Sequence, residues 1–171
     1  MAHDHTKPVN VRFAVLTASD RSSLGEREDI SGAEIGRIGG ENGWELVSHT
    51  IVADDKEMLK KEMIRLCDIV QVNVVLTTGG TGLAPRDFTP DATVEVIEKN
   101  VPGIAEAMRL ESLKKTPYAM LSRAICGVRG KTLIVNLPGS PKAVRECLDV
   151  ILPAIPHAVA LLGDEVSDCA R

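Results

Sequence analysis

Gly79, Gly80 and Gly82 fall together just after the apolar run Val72-Asn73-Val74-Val75-Leu76 and the pair Thr77-Thr78, and Arg86-Asp87 follows in the same stretch. Glycines of this kind adopt backbone angles closed to other residues and leave amides free to face an anion. The pattern fits neither common phosphate loop. The Walker form needs Lys and Ser/Thr after the last glycine, whereas Leu83 follows Gly82. The dinucleotide fingerprint needs a third glycine that Gly80-Thr81-Gly82 lacks. A tight strand-to-helix turn with no ligand is the plain alternative, although these glycines exceed what one turn requires. As a surface partner of Arg86, Asp87 would contribute little, about 0–1 kcal/mol. Beside an anion cradle it suits a bridging cation, because Mg²⁺ is usually held by one or two carboxylates plus phosphate oxygens.

Other polar residues have simpler readings. Asp54 with Glu57 three residues on reads as an N-cap and capping box opening a helix. Asp91 is a first-turn acid favoured by the helix dipole. Ser140-Pro141 is a good helix start, and the same geometry points amides at any nearby anion, with Lys142 adding charge. The cap-only and cap-plus-anion readings stand level. His49 and His157 have no partner identifiable from spacing, and no metal role is expected of His3 and His5 in the polar start. No Ser-His-Asp or Cys-His arrangement is recognisable. Phosphoryl or nucleotidyl transfer needs none, since positioning and charge neutralisation do most of the work. A phosphate monoester, with its second pKa near about 6, is largely ionised at neutral pH and can attack without a general base. It does need help approaching another anion, which Mg²⁺, loop amides and Arg or Lys supply.

The elements that must position these groups alternate. Val11 to Ala18, Trp44 to Val52, Val72 to Thr78 and Thr132 to Leu137 read as strands. A helix from about Ser31 is weakened by Gly36, Gly39 and Gly40. Leu59, Met63, Leu66 and Cys67 follow a one-sided helical stripe. Thr89-Pro90-Asp91 opens another helix with Thr89 as N-cap. Helices are also expected over Ile104 to Leu113, from Pro141 to about Leu152, and over Ile155 to Leu162. The strands are continuous Val/Ile/Leu runs, which argues for an α/β fold: a mostly parallel sheet covered on both faces. Ligands of such sheets bind beyond the carboxyl ends of the strands. The segments Thr17-Ala18-Ser19-Asp20, Thr77 to Gly82, and Pro138-Gly139-Ser140-Pro141 all leave strand ends and should meet on one edge.

The chain of 171 residues suggests a single domain, with polar ends over residues 1–10 and 163–171. It is 44% hydrophobic and 26% charged, ordinary for a globular domain. A net charge of −4 and the lack of any Lys/Arg run argue against nucleic acid as a partner. No apolar run approaches the roughly 20 residues needed to span a bilayer, and the start has no apolar leader segment. Cys67, Cys126, Cys147 and Cys169 lie far apart, without a zinc pattern, and read as reduced thiols of a cytoplasmic protein.

Four segments in order, LTTGGTG (76–82), PRDFTPDAT (85–93), TPYAMLSR (116–123) and NLPGSPKAV (136–144), resemble the MogA/MoaB-like molybdenum cofactor biosynthesis proteins, including the G domain of gephyrin. The resemblance runs from about Val11 to Leu162. It implies a three-layer α/β/α domain, usually a homotrimer, that binds molybdopterin. In the MogA-like branch it implies a Mg²⁺-dependent adenylyltransferase using ATP and molybdopterin, which hands its product to a molybdate-inserting enzyme. The family's essential Asp in the P-R-D-x-T-P segment falls on Asp87, the expected metal ligand. Its second essential Asp falls on Asp54. The family usually has Pro where Ala53 stands, so Asp55 remains the alternative. Ser19 and Asp20 resemble an element near the pterin pocket. Gly79, Gly80, Thr81, Gly82, Arg86, Thr89, Pro138, Gly139, Ser140 and Pro141 complete the expected substrate-binding set. MoaB-like members share the fold and some lack the transferase activity, so a non-catalytic molybdopterin-binding protein is the alternative. The Arg86-Asp87-Phe88-Thr89-Pro90 form favours the enzyme.

Overall fold

The computed structural model describes residues 9–163. Cys169, His3, His5 and most of both polar ends lie outside them. One six-stranded sheet has the order β2-β1-β3-β6-β5-β4. The strands are β1 (Arg12–Ala18), β2 (Glu45–Val52), β3 (Val74–Thr78), β4 (Lys99–Asn100), β5 (Cys126–Arg129) and β6 (Thr132–Leu137). The pairs β1–β2, β1–β3 and β3–β6 are parallel, while β5–β6 and β4–β5 are antiparallel. The sheet is thus mostly parallel, as its apolar runs predict, with an antiparallel margin that those runs do not announce. Arg129 pairs directly with Thr132, so Gly130-Lys131 is a two-residue hairpin loop with Gly130 at φ +56°.

Side chains alternate across the strands, and both faces are covered. Phe13, Val15, Val74, Leu76, Leu133 and Val135 form one core. It packs under α2 (Ile30–Glu41), α5 (Pro102–Leu113), α6 (Pro141–Ile151) and α7 (Ile155–Leu162). Ala14, Leu16, Val75 and Ile134 form the other, under α3 (Lys56–Ile64) and α4 (Thr89–Val96). The result is a three-layer α/β/α sandwich. Leu59, Met63, Leu66 and Cys67 are all buried, as their spacing predicts. The chain continues from α3 as a wider π-helical turn over Arg65–Val70. The glycines of α2 cost helix propensity but permit close packing: a Cβ on Gly39 would stand 2.3 Å from the Phe13 ring. A four-residue helix, α1 (Asp20–Ser23), and a 3-10 turn (Pro117–Leu121) complete the elements.

Sheet order explains where the site forms. The chain steps from β1 to β2 on one side and then to β3 on the other, so the loops after β1 and β3 diverge and leave a crevice.

Candidate functional site

The three strand-end loops meet at this crevice. The Thr78 hydroxyl donates to the Pro138 carbonyl at 2.7 Å, and the Ser31 hydroxyl donates to the Gly139 carbonyl at 2.7 Å. Gly79, at φ +89°, passes so close to β1 that a Cβ there would lie 2.3 Å from the Ala18 carbonyl oxygen. Gly80 also has positive φ, +66°. Both angles are ones that side chains rarely adopt, so the loop needs its glycines.

Thr89 is not the N-cap of α4. It is the first helical residue and fully buried; its hydroxyl donates to the Gly79 carbonyl at 2.8 Å and its amide to Gly80 O at 3.1 Å. It braces the glycine loop from behind. Thr81 is likewise buried. Ser140 does cap α6, accepting from the Ala143 amide at 3.2 Å, with Pro141 at the first position. Ser19 caps α1 in the same way, accepting from Ser22 N at 3.1 Å.

The acids differ from their sequence reading. Asp55, not Asp54, caps α3, accepting from Met58 N at 2.8 Å. Asp54 turns the other way, and the two segments clasp each other: Asp20 N donates to Asp54 Oδ2 at 2.9 Å and Asp54 N donates to Asp20 Oδ1 at 3.0 Å. The capping reading of Asp54 is therefore corrected, and the shift by one residue frees its carboxylate for the crevice. Arg86 turns from Asp87 to Asp20, donating from Nε and Nη2 at 2.7 and 2.9 Å. That fork holds Asp20 below the usual carboxylate range. Asp54 moves the opposite way. Burial pushes its carboxyl up, and the negative charges of Asp20 and Asp87 push further. Asp87 forms no ion pair among the described residues; its Oδ2 accepts from Ala84 N at 2.9 Å. The same oxygen would lie 2.8 Å from a Cβ on Gly82, so the carboxylate stands directly against the glycine loop.

These carboxylates suit a hard cation that takes oxygen ligands. Among the described residues, no group of three His, Cys, Asp or Glu side chains is set to hold a metal by protein alone. Mg²⁺ in general needs only one or two protein carboxylates, the rest of its ligands being water and substrate oxygens. Burial is the main reason the Asp54 carboxyl is raised; the neighbouring charges of Asp20 and Asp87 add to it, and a cation would relieve that part.

Two clefts flank the glycine loop. A polar one of about 270 Å³ is lined by Ser19, Arg27, Asp29, Ser31, Gly79 and Gly139. An apolar one of about 330 Å³ borders Thr81 and Gly82 and is walled by Met108, Tyr118, Leu121 and Cys147.

Two clusters escaped the sequence reading. The Thr17 hydroxyl donates to Asp29 Oδ2 at 2.5 Å, and His49 Nε2 lies 2.8 Å from the same oxygen. Burial raises the Asp29 carboxyl, but hydrogen bonds from His49, Thr17 and the Gly32 amide outweigh it and lower the pKa overall. The second is Arg123, which donates from Nε to the Gly82 carbonyl at 2.8 Å, from Nη2 to the Asp87 carbonyl, and to the Asp91 carboxylate at 3.0 and 3.2 Å. Asp91 is thus an ion-pair partner as well as a first-turn acid. Partners 32 to 41 residues apart leave no local pattern; only the position of Arg123 at the end of TPYAMLSR hinted at it.

Comparison with known proteins gives a consistent answer. Residues 14–157 match the family model described as "Probable molybdopterin binding domain". The chain is 48% identical over 155 residues to a molybdopterin adenylyltransferase of Helicobacter pylori strain J99, covering 89% of this chain and 88% of that protein. It is 36% identical to the molybdopterin adenylyltransferase of Escherichia coli K12, covering 84% and 75%. Among solved structures, the molybdopterin biosynthesis enzyme MoaB from Thermus thermophilus superimposes with a TM-score of 0.85 at 47% identity, covering 90% of this chain and 97% of that one.

Proposed function

The chain belongs to the molybdopterin-binding domain family, and from that premise we propose that it is a molybdopterin adenylyltransferase of molybdenum cofactor biosynthesis. It transfers AMP from ATP to the terminal phosphate of molybdopterin and releases pyrophosphate. The observation that carries this reading is the glycine loop between two clefts, with Asp54 and Asp87 turned toward it and neither spent on a helix cap or an Arg partner. A two-substrate reaction joining phosphates needs that arrangement: a place for each organic group and an anion cradle between them.

An oxygen of the molybdopterin phosphate, already ionised near neutral pH, attacks the α-phosphorus of ATP. One P–O bond forms, the bond to pyrophosphate breaks, and no proton needs to be removed. Amides of Gly79, Gly80, Thr81 and Gly82 hold phosphate oxygens, and the α6 N-terminus behind Pro138, Gly139, Ser140 and Pro141 adds a second anion-directed dipole. Ser19 lines the polar cleft, Asp20 follows it in the same loop, and Arg86, held on Asp20, supplies positive charge there. Asp87, with Asp54 beside it, would hold Mg²⁺. Bound there, the ion would neutralise charge developing on the oxygens around the reacting phosphorus. A homotrimer and the passing of adenylylated molybdopterin to a molybdate-inserting enzyme belong to the same reading. Three free, buried thiols, Cys67, Cys126 and Cys147, support a reducing cytoplasm as its setting. No helix among the described residues is long and apolar enough to cross a membrane.

The test is pyrophosphate release from ATP and Mg²⁺, with and without molybdopterin, for the wild type and Asp87→Asn. Molybdopterin-dependent release by the wild type alone is expected, with most molybdopterin affinity kept in the variant. Molybdopterin binding without release by the wild type would instead make this a non-catalytic binding protein. Turnover surviving in Asp87→Asn would remove Asp87 from the metal role.

A further inference from the structure

We propose that Arg123 is a positioning residue that fixes the Asp87 carboxylate against the glycine loop and ties it to the wall of the apolar cleft; the catalytic consequence rests on the adenylyltransferase reading. Between Gly82 and Asp87 the chain makes an outward excursion, with Leu83 66% exposed. One guanidinium spans its base, donating to the carbonyls of both Gly82 and Asp87. Arg123 also donates its own amide to the Thr81 carbonyl at 2.9 Å. Asp91, in the first turn of α4, holds the guanidinium from the far side. Within the excursion, Asp87 N donates to Ala84 O at 3.0 Å and Ala84 N returns the bond to the Asp87 carboxylate. The position of that carboxylate is thus inherited from a loop whose two ends one side chain holds together.

The segment carrying Arg123 is itself a wall of a binding cleft. Tyr118, Ala119, Leu121 and Ser122, just before it, line the apolar cleft, and Arg109 of α5 donates to the Ala124 carbonyl at 2.6 Å just after it. A ligand seated in that cleft presses on the element that sets Asp87. Lys keeps the charge but lacks the planar fork needed to reach two carbonyls and a carboxylate together. Misplacing a catalytic group by about 1 Å can cost about 100-fold in rate.

Arg123→Lys, Arg123→Ala and the wild type would be compared in three measurements: thermal unfolding, hydrogen exchange over residues 81–91, and molybdopterin-dependent pyrophosphate release across a Mg²⁺ series. In Arg123→Lys we expect faster exchange confined to 81–91 and an unfolding temperature near that of the wild type. We expect kcat to fall by about 30- to 100-fold and more Mg²⁺ to be needed for half-maximal rate, while molybdopterin affinity changes by less than about threefold. Millimolar guanidinium should restore part of the Arg123→Ala rate. Unchanged exchange over 81–91 would overturn the clamp, and wild-type kcat and Mg²⁺ dependence in Arg123→Lys would overturn its catalytic role. Absence of turnover in the wild type would count against the adenylyltransferase reading, while hydrogen exchange would still decide the clamp.

Discussion

The two ends of the parallel sheet are built from the same strands and spend their polar groups differently. At the amino end, Asn73 Oδ1 accepts from Arg12 N at 2.8 Å, Asn73 N donates to Arg12 O, and its carbonyl accepts from Leu133 N. Nearby, the Thr132 hydroxyl donates to Val72 O at 2.6 Å, and Arg129 pairs both nitrogens of its fork with Asp68. Each group there closes a structural bond. At the carboxyl end, two glycines sit at positive φ, Asp54 carries a raised pKa, and an Arg-Asp fork joins the loops after β1 and β3. Buried charge that disfavours the fold is tolerated where a ligand will use it.

The largest test of that contrast is Asp54→Asn. Loss of a carboxylate charge that would help hold Mg²⁺ beside the reacting phosphates is expected to lower turnover by about 100-fold or more. Its effect on stability runs the other way. The folded pKa of Asp54 is raised, so its charged form is disfavoured in the fold. That cost is present at pH above the folded pKa and absent below the ordinary carboxylate value, where folded and unfolded forms are both protonated. Asp54→Asn should therefore unfold at an equal or higher temperature than the wild type at pH 7, with the gap closing in acid. A lower unfolding temperature at pH 7 would place Asp54 with the structural acids of the amino end.

Gly82→Ala tests the same contrast with a smaller effect. Gly82 lacks the positive φ of Gly79, and the group a methyl would meet is the Asp87 carboxylate, 2.8 Å away. A side-chain end can move where a backbone cannot. Stability should change by no more than about 0.5 kcal/mol, while turnover falls by about tenfold as the carboxylate is displaced. A variant that loses stability and keeps turnover would show that the contact serves packing alone.

The contrast also marks how far the sequence could be read. β1, β3 and β6 were legible because continuous apolar runs are required where both faces are buried; β2 was read too, although it is a largely exposed edge strand, ELVSHTIV. The strand-end loops followed from topology, and the structure brings them together. The antiparallel margin was not legible: β4 is two residues long, and β5 is Cys126-Gly127-Val128-Arg129 with no apolar run. The Gly130-Lys131 turn was the available signal. Asp54 and Asp55 differ by one position at the same helix start, and only the clasp with Asp20 separates capping from site. Arg123, and the Thr17-Asp29-His49 cluster, depend on contacts between distant segments, which no local spacing encodes.

Asn73→Ala should have the smallest effect on activity. It removes the acceptor of the Arg12 amide at the amino end and leaves that donor without its side-chain partner. A lost hydrogen bond of this kind costs about 1–2 kcal/mol, which chemical denaturation would read as a lower midpoint with an unchanged slope. The carboxyl-end loops are anchored through Thr78, Thr89 and Arg123, none of which touches Asn73. Molybdopterin-dependent turnover of the folded protein should therefore stay within about twofold of the wild type, as expected for a site with no shared contacts. A large loss of turnover at full folding would show that the amino end feeds into the site through the strands, and that the division between a structural end and a functional end is wrong.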